Sequence, residues 1–312
     1  MNFKYPEALD AALGIVRDDI SSERVKIRGQ LPYQLFHYTN TTGLIGILES
    51  SRIWATHFSY LNDASEFSYG ISLLEEIVNT KIQSTQDPII VSFLKRTLDR
   101  VKNLNGSLEY YISCFCARDD LLSQWRGYTD AGGGFAIGFY ATSFDIPKPA
   151  RDASNNFMVR KVIYEDTEQR RLLEEVIDKT IAVLLDITNG FTQDNAHGSI
   201  IACCKFASDE VAEYLTYFKH PVFEAEHEWR LLHMPHDDTG IKFRNGPYGI
   251  TPYVCLDLRP MAGVHTSILP IESVRHGPTT NAKNTQYSLR KLLNMRSYSQ
   301  VEIHGTELPI RV

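Results

Sequence analysis

Between positions 35 and 66 the sequence runs LFHYTNTTGLIGILESSRIWATHFSYLNDASE, and this stretch constrains the fold more than any other. The opening residues carry Phe36 and Tyr38 on one side of a strand and Leu35, His37 and Thr39 on the other, because successive strand side chains alternate in direction. Leu44, Ile47 and Leu48 then fall at helical spacing, with Asn40 or Thr41 available to cap the helix. A second strand, Ile53 to Thr56, leads to a polar corner at Asn62, Asp63 and Glu66. Two strand ends meeting around one helix make a cleft, which the remaining chain has to wall.

The rest of the pattern separates by type. Apolar positions Phe67, Ile71, Leu74, Ile77 and Val78 trace one helical face, and Pro88 opens a further helix with Ile90, Phe93, Leu94 and Val101 inward. An N-terminal helix is expected over about 5–20, and a helical insertion over about 165–220. YYISCFC (110–116) and FAIGFY (135–140) are too short and too rich in aromatic and β-branched residues for helices. EWRLLHM (228–234), IKFR (241–244) and YVCLDL (253–258) form a meander-like series. A strand near 273–276, a helix over about 282–293 and a last strand at 301–303 close the chain. Helices and strands are thus segregated along the sequence, which predicts an α+β fold over a doubly wound sheet. No linker composition cuts it, so one domain over 1–312 is expected.

Bulk properties remove several function classes. With 43% hydrophobic and 22% charged residues in 312, the chain can bury a large core. A formal net charge of −6 argues against a broad nucleic-acid surface. No apolar run approaches the roughly 20 residues that span a bilayer, and the N-terminus lacks a signal-peptide core. A cytoplasmic protein without membrane association is expected. Five cysteines without a CxxC pair read as buried free thiols, and His227, His233 and His236 lack metal-motif spacing, so no metal is expected.

The residues able to carry chemistry are few, and each has a plain structural reading. His37 is a lone strand histidine. Asp63 with Glu66 has capping-box spacing, which leaves Asn62 and Tyr60 unexplained. Ser123, Gln124 and Trp125 form a polar-aromatic turn that packs a flat ring, or Trp125 belongs to the core. Gly132 to Gly134 precede a strand and lack phosphate-loop spacing, so they read as a tight connection. Glu226 and Glu228 lie two apart at a strand start, so both carboxylates can share a face and raise one another's pKa. Alternatively Arg230 on that face neutralises them.

The ordered set FHYTNTTGLIGILESSRIWAT, LND with Glu66, SCFCARDDLLSQWRGYTDAGGGFAIGF and EAEHEWRL, followed by the closing stretch ILPIESVRHGPTTNAKNTQYSLRKLLNMRSYSQVEIHGTELPIR, resembles the bacterial family catalogued as domain of unknown function 2971. The resemblance spans roughly Leu35 to Arg311, and its shape is similar to the ADP-ribosyltransferase superfamily. It implies a split, mostly antiparallel sheet with flanking helices, and NAD as co-substrate. His37, with Tyr38 and Thr39 beside it, then matches the sugar-binding position of the first strand. Tyr60 matches the aromatic that stacks on nicotinamide, with Phe58 or Tyr38 as rivals. Glu228 matches the acid, and Glu226 completes an ExE pair, while Asn62, Ser123, Gln124 and Trp125 complete the cofactor-binding set.

Such a site has a physical rationale. Breaking the nicotinamide–ribose bond develops positive charge on the ribose, which a carboxylate such as Glu228 stabilises more in the transition state than in the ground state. The expectation is an ADP-ribosyltransferase-like enzyme acting on an unknown protein or nucleic-acid acceptor, in the manner of a toxin or antiphage effector, with a regulatory partner. An NAD glycohydrolase using the same cleft, or a non-catalytic nucleotide- or nucleic-acid-binding module with Glu228 paired to Arg230, are the rival readings.

Overall fold

The computed structural model describes residues 7–61, 65–104, 108–128, 133–144, 157–189, 196–246, 249–258 and 268–308. It divides into two compact units, Met1–Gly29 with Leu61–Leu108 and Val162–Glu224, and Gln30–Tyr60 with Glu109–Lys161 and Ala225–Val312. The expected helical block at 165–220 is therefore one of three segments that build a helical unit.

That helical unit holds α1 (Glu7–Arg28), α3 (Ser65–Ser84), α4 (Pro88–Leu104), α6 (Asp166–Ile187) and α7 (His197–Leu215). α7 is apolar on most of its circumference because it lies against α4 and α6 at once, burying Cys203, Cys204, Ala207 and Val211. Gly70 lets α3 approach α7: a Cβ there would fall 2.6 Å from Leu215 Cδ2. Arg24 on α1 is buried, donating to Glu210 at 2.8 Å and lying over the Tyr214 ring. Gln169 on α6 is fully buried; its amide donates to the carbonyls of Ile163 and Lys219, at 2.6 and 2.9 Å, and accepts from Tyr69 at 2.8 Å. The Glu66 carboxylate pairs with buried Lys219 at 3.1 Å, and Asp63, the other half of the expected capping box, lies outside the described residues.

Among the described residues the second unit is a ten-stranded, mixed and mostly antiparallel sheet with three helices. Its strands are β1 (Gln34–Thr39), β2 (Ile53–His57), β3 (Tyr111–Cys116), β4 (Phe135–Tyr140), β5 (Phe157–Lys161), β6 (Glu228–His233), β7 (Lys242–Gly246), β8 (Gly249–Leu256), β9 (Ile271–His276) and β10 (Glu302–Gly305). Its helices are α2 (Thr41–Ser50), α5 (Leu122–Tyr128) and α8 (Ala282–Met295). The sheet order is β10-β9-β4-β1-β3-β2-β8-β7, with β6 also paired to β3 and β5 to β6; among the described strands only β9 and β10 pair in parallel. The α+β class and largely antiparallel sheet expected from the sequence are present.

Each element has a local cause. Asn40 caps α2 by accepting from the Gly43 amide at 2.9 Å. Leu44, Ile47 and Leu48 of that helix join Leu35, Ile53, Phe115, Ile137, Trp229 and Leu256 in the main core. The turn expected at Ser123, Gln124 and Trp125 is corrected to a helix: Trp125 and Gln124 are buried, and Trp125 packs with Phe36, Tyr38 and Cys116 in a second, smaller core. Gly277 makes room for this indole, since a Cβ there would fall 2.7 Å from it. Gly133 has φ of +97°, the conformation a tight connection into β4 requires of glycine; Gly132 lies outside the described residues.

Candidate functional site

The middle of the sheet is where strand pairing fails to close. β3 is paired along its whole length with β6 on one flank. On its other flank it meets two strands: β1 through Phe36↔Cys116, and β2 through Thr56↔Ile112 and His57↔Tyr111. Between those contacts β1 and β2 diverge, and among the described residues their pairing with β3 stops short of the edge from Ser113 to Phe115.

His37 occupies this split. Its Nδ1 lies 2.8 Å from the Cys114 carbonyl, so the imidazole replaces a ladder hydrogen bond. A carbonyl can only accept, which fixes the proton on Nδ1 and leaves the Nε2 lone pair as an acceptor. Burial drops the imidazole pKa to about 4; the Cys114 hydrogen bond opposes that fall and the nearby Arg244 charge adds to it. At neutral pH His37 is an uncharged acceptor.

Strand register decides where the other expected residues go. Directly paired residues put their side chains on the same face. Glu228 pairs with Cys116, and Cys116 with Phe36, so these three share a face. His37 is the neighbour of Phe36 and turns to the opposite face, where its ring lies 5.4 Å from that of Phe115. Glu228 is moreover engaged: Arg230 Nε and Nη2 reach its two oxygens at 2.8 and 3.2 Å, and both residues are 3% exposed. Glu226 does not share that strand face, because it ends a 3-10 turn (Pro221–Glu226) and His227 follows with φ of +48°.

The remaining expected residues scatter. The Tyr38 hydroxyl donates to the Arg118 carbonyl and accepts from the Leu121 amide, both at 3.1 Å, and its ring meets Trp125 edge-on, so it fastens α5 to the sheet. Thr39 lies against Gly43, whose hydrogen leaves room for its hydroxyl. Tyr60 meets His57 edge-to-face at 5.9 Å. Trp125 donates to Asp120 at 2.7 Å from within the smaller core, Gln124 is buried beside it and Ser123 is exposed. Asn62 lies outside the described residues. All five cysteines are free, and burial raises the Cys116 thiol to about 12.

One residue near the split has no sequence motif. Arg244 on β7 pairs with Thr251, and through Tyr253, Thr56 and Ile112 the ladders carry its face to that of Glu228. Its guanidinium lies 5.5 Å from the ring centroids of both Trp54 and Tyr253, and Nη2 donates to Thr56 Oγ1 at 2.6 Å. Among the described residues no three His, Cys, Asp or Glu side chains gather to hold a metal, and no helix is long and apolar enough to cross a membrane.

The family model described as Protein of unknown function (DUF2971) matches residues 124–231, from α5 through β6. The chain is similar to that family over this segment, about a third of its length. No curated protein and no solved structure matches the chain.

Proposed function

We propose that this protein binds a nucleotide of the NAD type at the split between β1 and β2, with His37 accepting a ribose hydroxyl. The observation that carries this reading is the Nδ1 contact to the Cys114 carbonyl. It holds a neutral imidazole in one orientation, with its second nitrogen an acceptor, which suits a sugar hydroxyl and not an anion. Calorimetric titration of NAD into the wild type and His37→Ala tests it. Binding weakened in the variant is expected; a wild type that does not take up NAD overturns the reading.

ADP-ribosyl transfer to a macromolecular acceptor is the second reading, and glycohydrolysis its variant with water as acceptor. It is favoured by strand adjacency: Phe36 and Glu228 both pair with Cys116, so they lie about two strand spacings, or roughly 10 Å, apart. Against it stand the opposite faces of His37 and Glu228 and the ion pair with Arg230. Catalysis through this acid requires Glu228 to leave Arg230, so binding is the reading the resting geometry supports. Nicotinamide release by the wild type, abolished in Glu228→Gln, would establish transfer or hydrolysis. Free ADP-ribose without labelled macromolecule would identify the hydrolase.

A further inference from the structure

β7 ends the sheet, and among the described residues no strand pairs with its outer edge. Its pairing with β8 decides which main-chain groups that edge presents. Phe243 pairs with Pro252, which has no N–H, so the two form a non-hydrogen-bonded pair of the antiparallel ladder. Such pairs alternate with hydrogen-bonded ones, so Asn245↔Ile250 is of the same kind. The N–H and C=O of Phe243 and Asn245 therefore point away from β8, to the open edge. The two faces beside that edge differ in chemistry. Lys242 (exposed) and Arg244 (half-buried against Trp54 and Tyr253) share one face, and neither pairs with a carboxylate among the described residues. The acids Asp237 and Asp238 belong to the preceding turn, where Asp237 accepts from the Thr239 amide at 2.9 Å. Phe243 lies on the other face with Pro252 and Ile250. That face continues along β8 to Val254 and its partner Ala55, both buried. Phe243 and Ile250 are instead 67% and 74% exposed, so the apolar face of the sheet runs on beyond what covers it.

A second copy of β7 is a poor occupant of this edge. Antiparallel pairing centred on Arg244 sets Arg244 against Arg244, and pairing centred on Phe243 sets Lys242 against Arg244. Like charges directly opposite one another work against pairing. We infer that the outer edge of β7 accepts, as an added strand, an extended segment of a partner protein in which acidic residues alternate with apolar ones. The acids lie opposite Lys242 and Arg244, an apolar residue lies opposite Phe243, and the segment's main chain bonds that of Phe243 and Asn245. The charge that blocks self-pairing is the same charge that selects the acidic partner. This docking is independent of the nucleotide reading above.

Fluorescence anisotropy with the full chain and short labelled peptides tests it. One peptide alternates glutamate with valine, one lysine with valine and one glutamate with serine. The wild type is expected to bind the glutamate–valine peptide about tenfold more tightly than either of the others, the effect of exchanging a few cross-strand pairs. Lys242→Glu, a change at an exposed side chain, should abolish the preference for the glutamate–valine over the lysine–valine peptide. Asn245→Pro removes a main-chain donor that faces the open edge and leaves the β8 ladder whole, so it should weaken the glutamate–valine peptide in a chain that thermal unfolding shows to be folded. Equal binding of the three peptides by the wild type, or no binding of any, overturns the proposal. So does glutamate–valine binding that a folded Asn245→Pro leaves unchanged, since attraction between side chains then suffices. A wild type that sediments as a dimer, and as a monomer in Phe243→Ser, makes a second copy the occupant and overturns it as well. Single-stranded polyuridylate bound more tightly than the glutamate–valine peptide, and released by Lys242→Glu, assigns the basic face to RNA and removes the acidic partner.

Discussion

Glu228 and Arg230 lie on one face of β6 and hold each other at 2.8 Å with both side chains out of solvent. Removing one partner of such a pair leaves an uncompensated buried charge, which costs about 3–5 kcal/mol. Arg230→Met is therefore expected to destabilise the protein by that amount in urea unfolding, and Glu228→Gln by less, since its amide still hydrogen-bonds. The double variant should cost less than the two single changes added, because the shared interaction is lost once. A cost below about 1 kcal/mol for Arg230→Met would mean that Glu228 is not held by this partner.

His37 makes stability depend on pH in a defined window. Its folded pKa, about 4, lies below the ordinary histidine value of 6.5, so between these pH values the unfolded chain binds more protons than the folded one. Stability rises with pH across that window, is fully present above pH 6.5, and is lost as pH falls toward 4. The contribution is on the order of 3 kcal/mol. Urea midpoints measured at pH 7, 6 and 5 should fall more steeply for the wild type than for His37→Gln. Arg244→Gln should raise the His37 pKa, read by NMR titration of the imidazole, because the Arg244 charge contributes to holding it down.

In the helical unit, Gln169 joins Tyr69, Ile163 and Lys219 through one buried amide. Gln169→Leu keeps the volume but takes this partner from the Lys219 carbonyl and the Tyr69 hydroxyl, while the Ile163 carbonyl keeps the Lys219 amide as a donor at 3.1 Å. At about 1–3 kcal/mol for a buried group that loses its hydrogen bond, a loss of about that size is expected. Gln169→Glu keeps the acceptor for Tyr69 and opposes both carbonyls with negative charge, so it should be no better. Hydrogen exchange at the Gln169 and Lys219 amides reports whether the opening is local.

The elements were legible because their causes are local, and the site was not because its causes are distant. The strand positions of His37 and Glu228 follow from alternation and from β-branched and aromatic content. Their opposite faces follow from Cys116 serving as partner to both Phe36 and Glu228, a register that alternation within one strand cannot supply. Glu66 carries a capping signature in its own segment, and its salt bridge to Lys219, on another segment of the same unit, left no mark there. Arg244 had no signal at all, since Trp54, Thr56 and Tyr253 come together only through the β2–β8 and β7–β8 ladders. Gln169 did leave a trace. It sits on the same helical stripe as Leu172, Leu173 and Val176, where a polar residue is out of place unless fully hydrogen-bonded. Trp125 was open to both a ligand-stacking and a core reading, and the Asp120 hydrogen bond with the contact to Gly277 accounts for its core placement.

Asp120 ties α5 to the C-terminal segment, accepting from Trp125 Nε1 at 2.7 Å, Thr306 Oγ1 at 2.7 Å and the Glu307 amide at 2.8 Å. Burial by itself would raise its pKa, but the hydrogen bonds from Thr306, Glu307 and Trp125, together with the Arg275 charge, hold it below the ordinary carboxylate range. The stability it contributes is present above the unfolded aspartate pKa and is lost as pH falls through the lower, folded value. Asp120→Ala strands the buried indole N–H, at a cost of about 1–3 kcal/mol, and frees the residues that follow β10. Faster hydrogen exchange at Thr306, Glu307 and Leu308 should accompany the loss. Asp120→Asn keeps one acceptor oxygen and should fall between the two. If exchange at these amides is unchanged in Asp120→Ala, the segment is held by β10 pairing with β9 alone, and the carboxylate serves only Trp125.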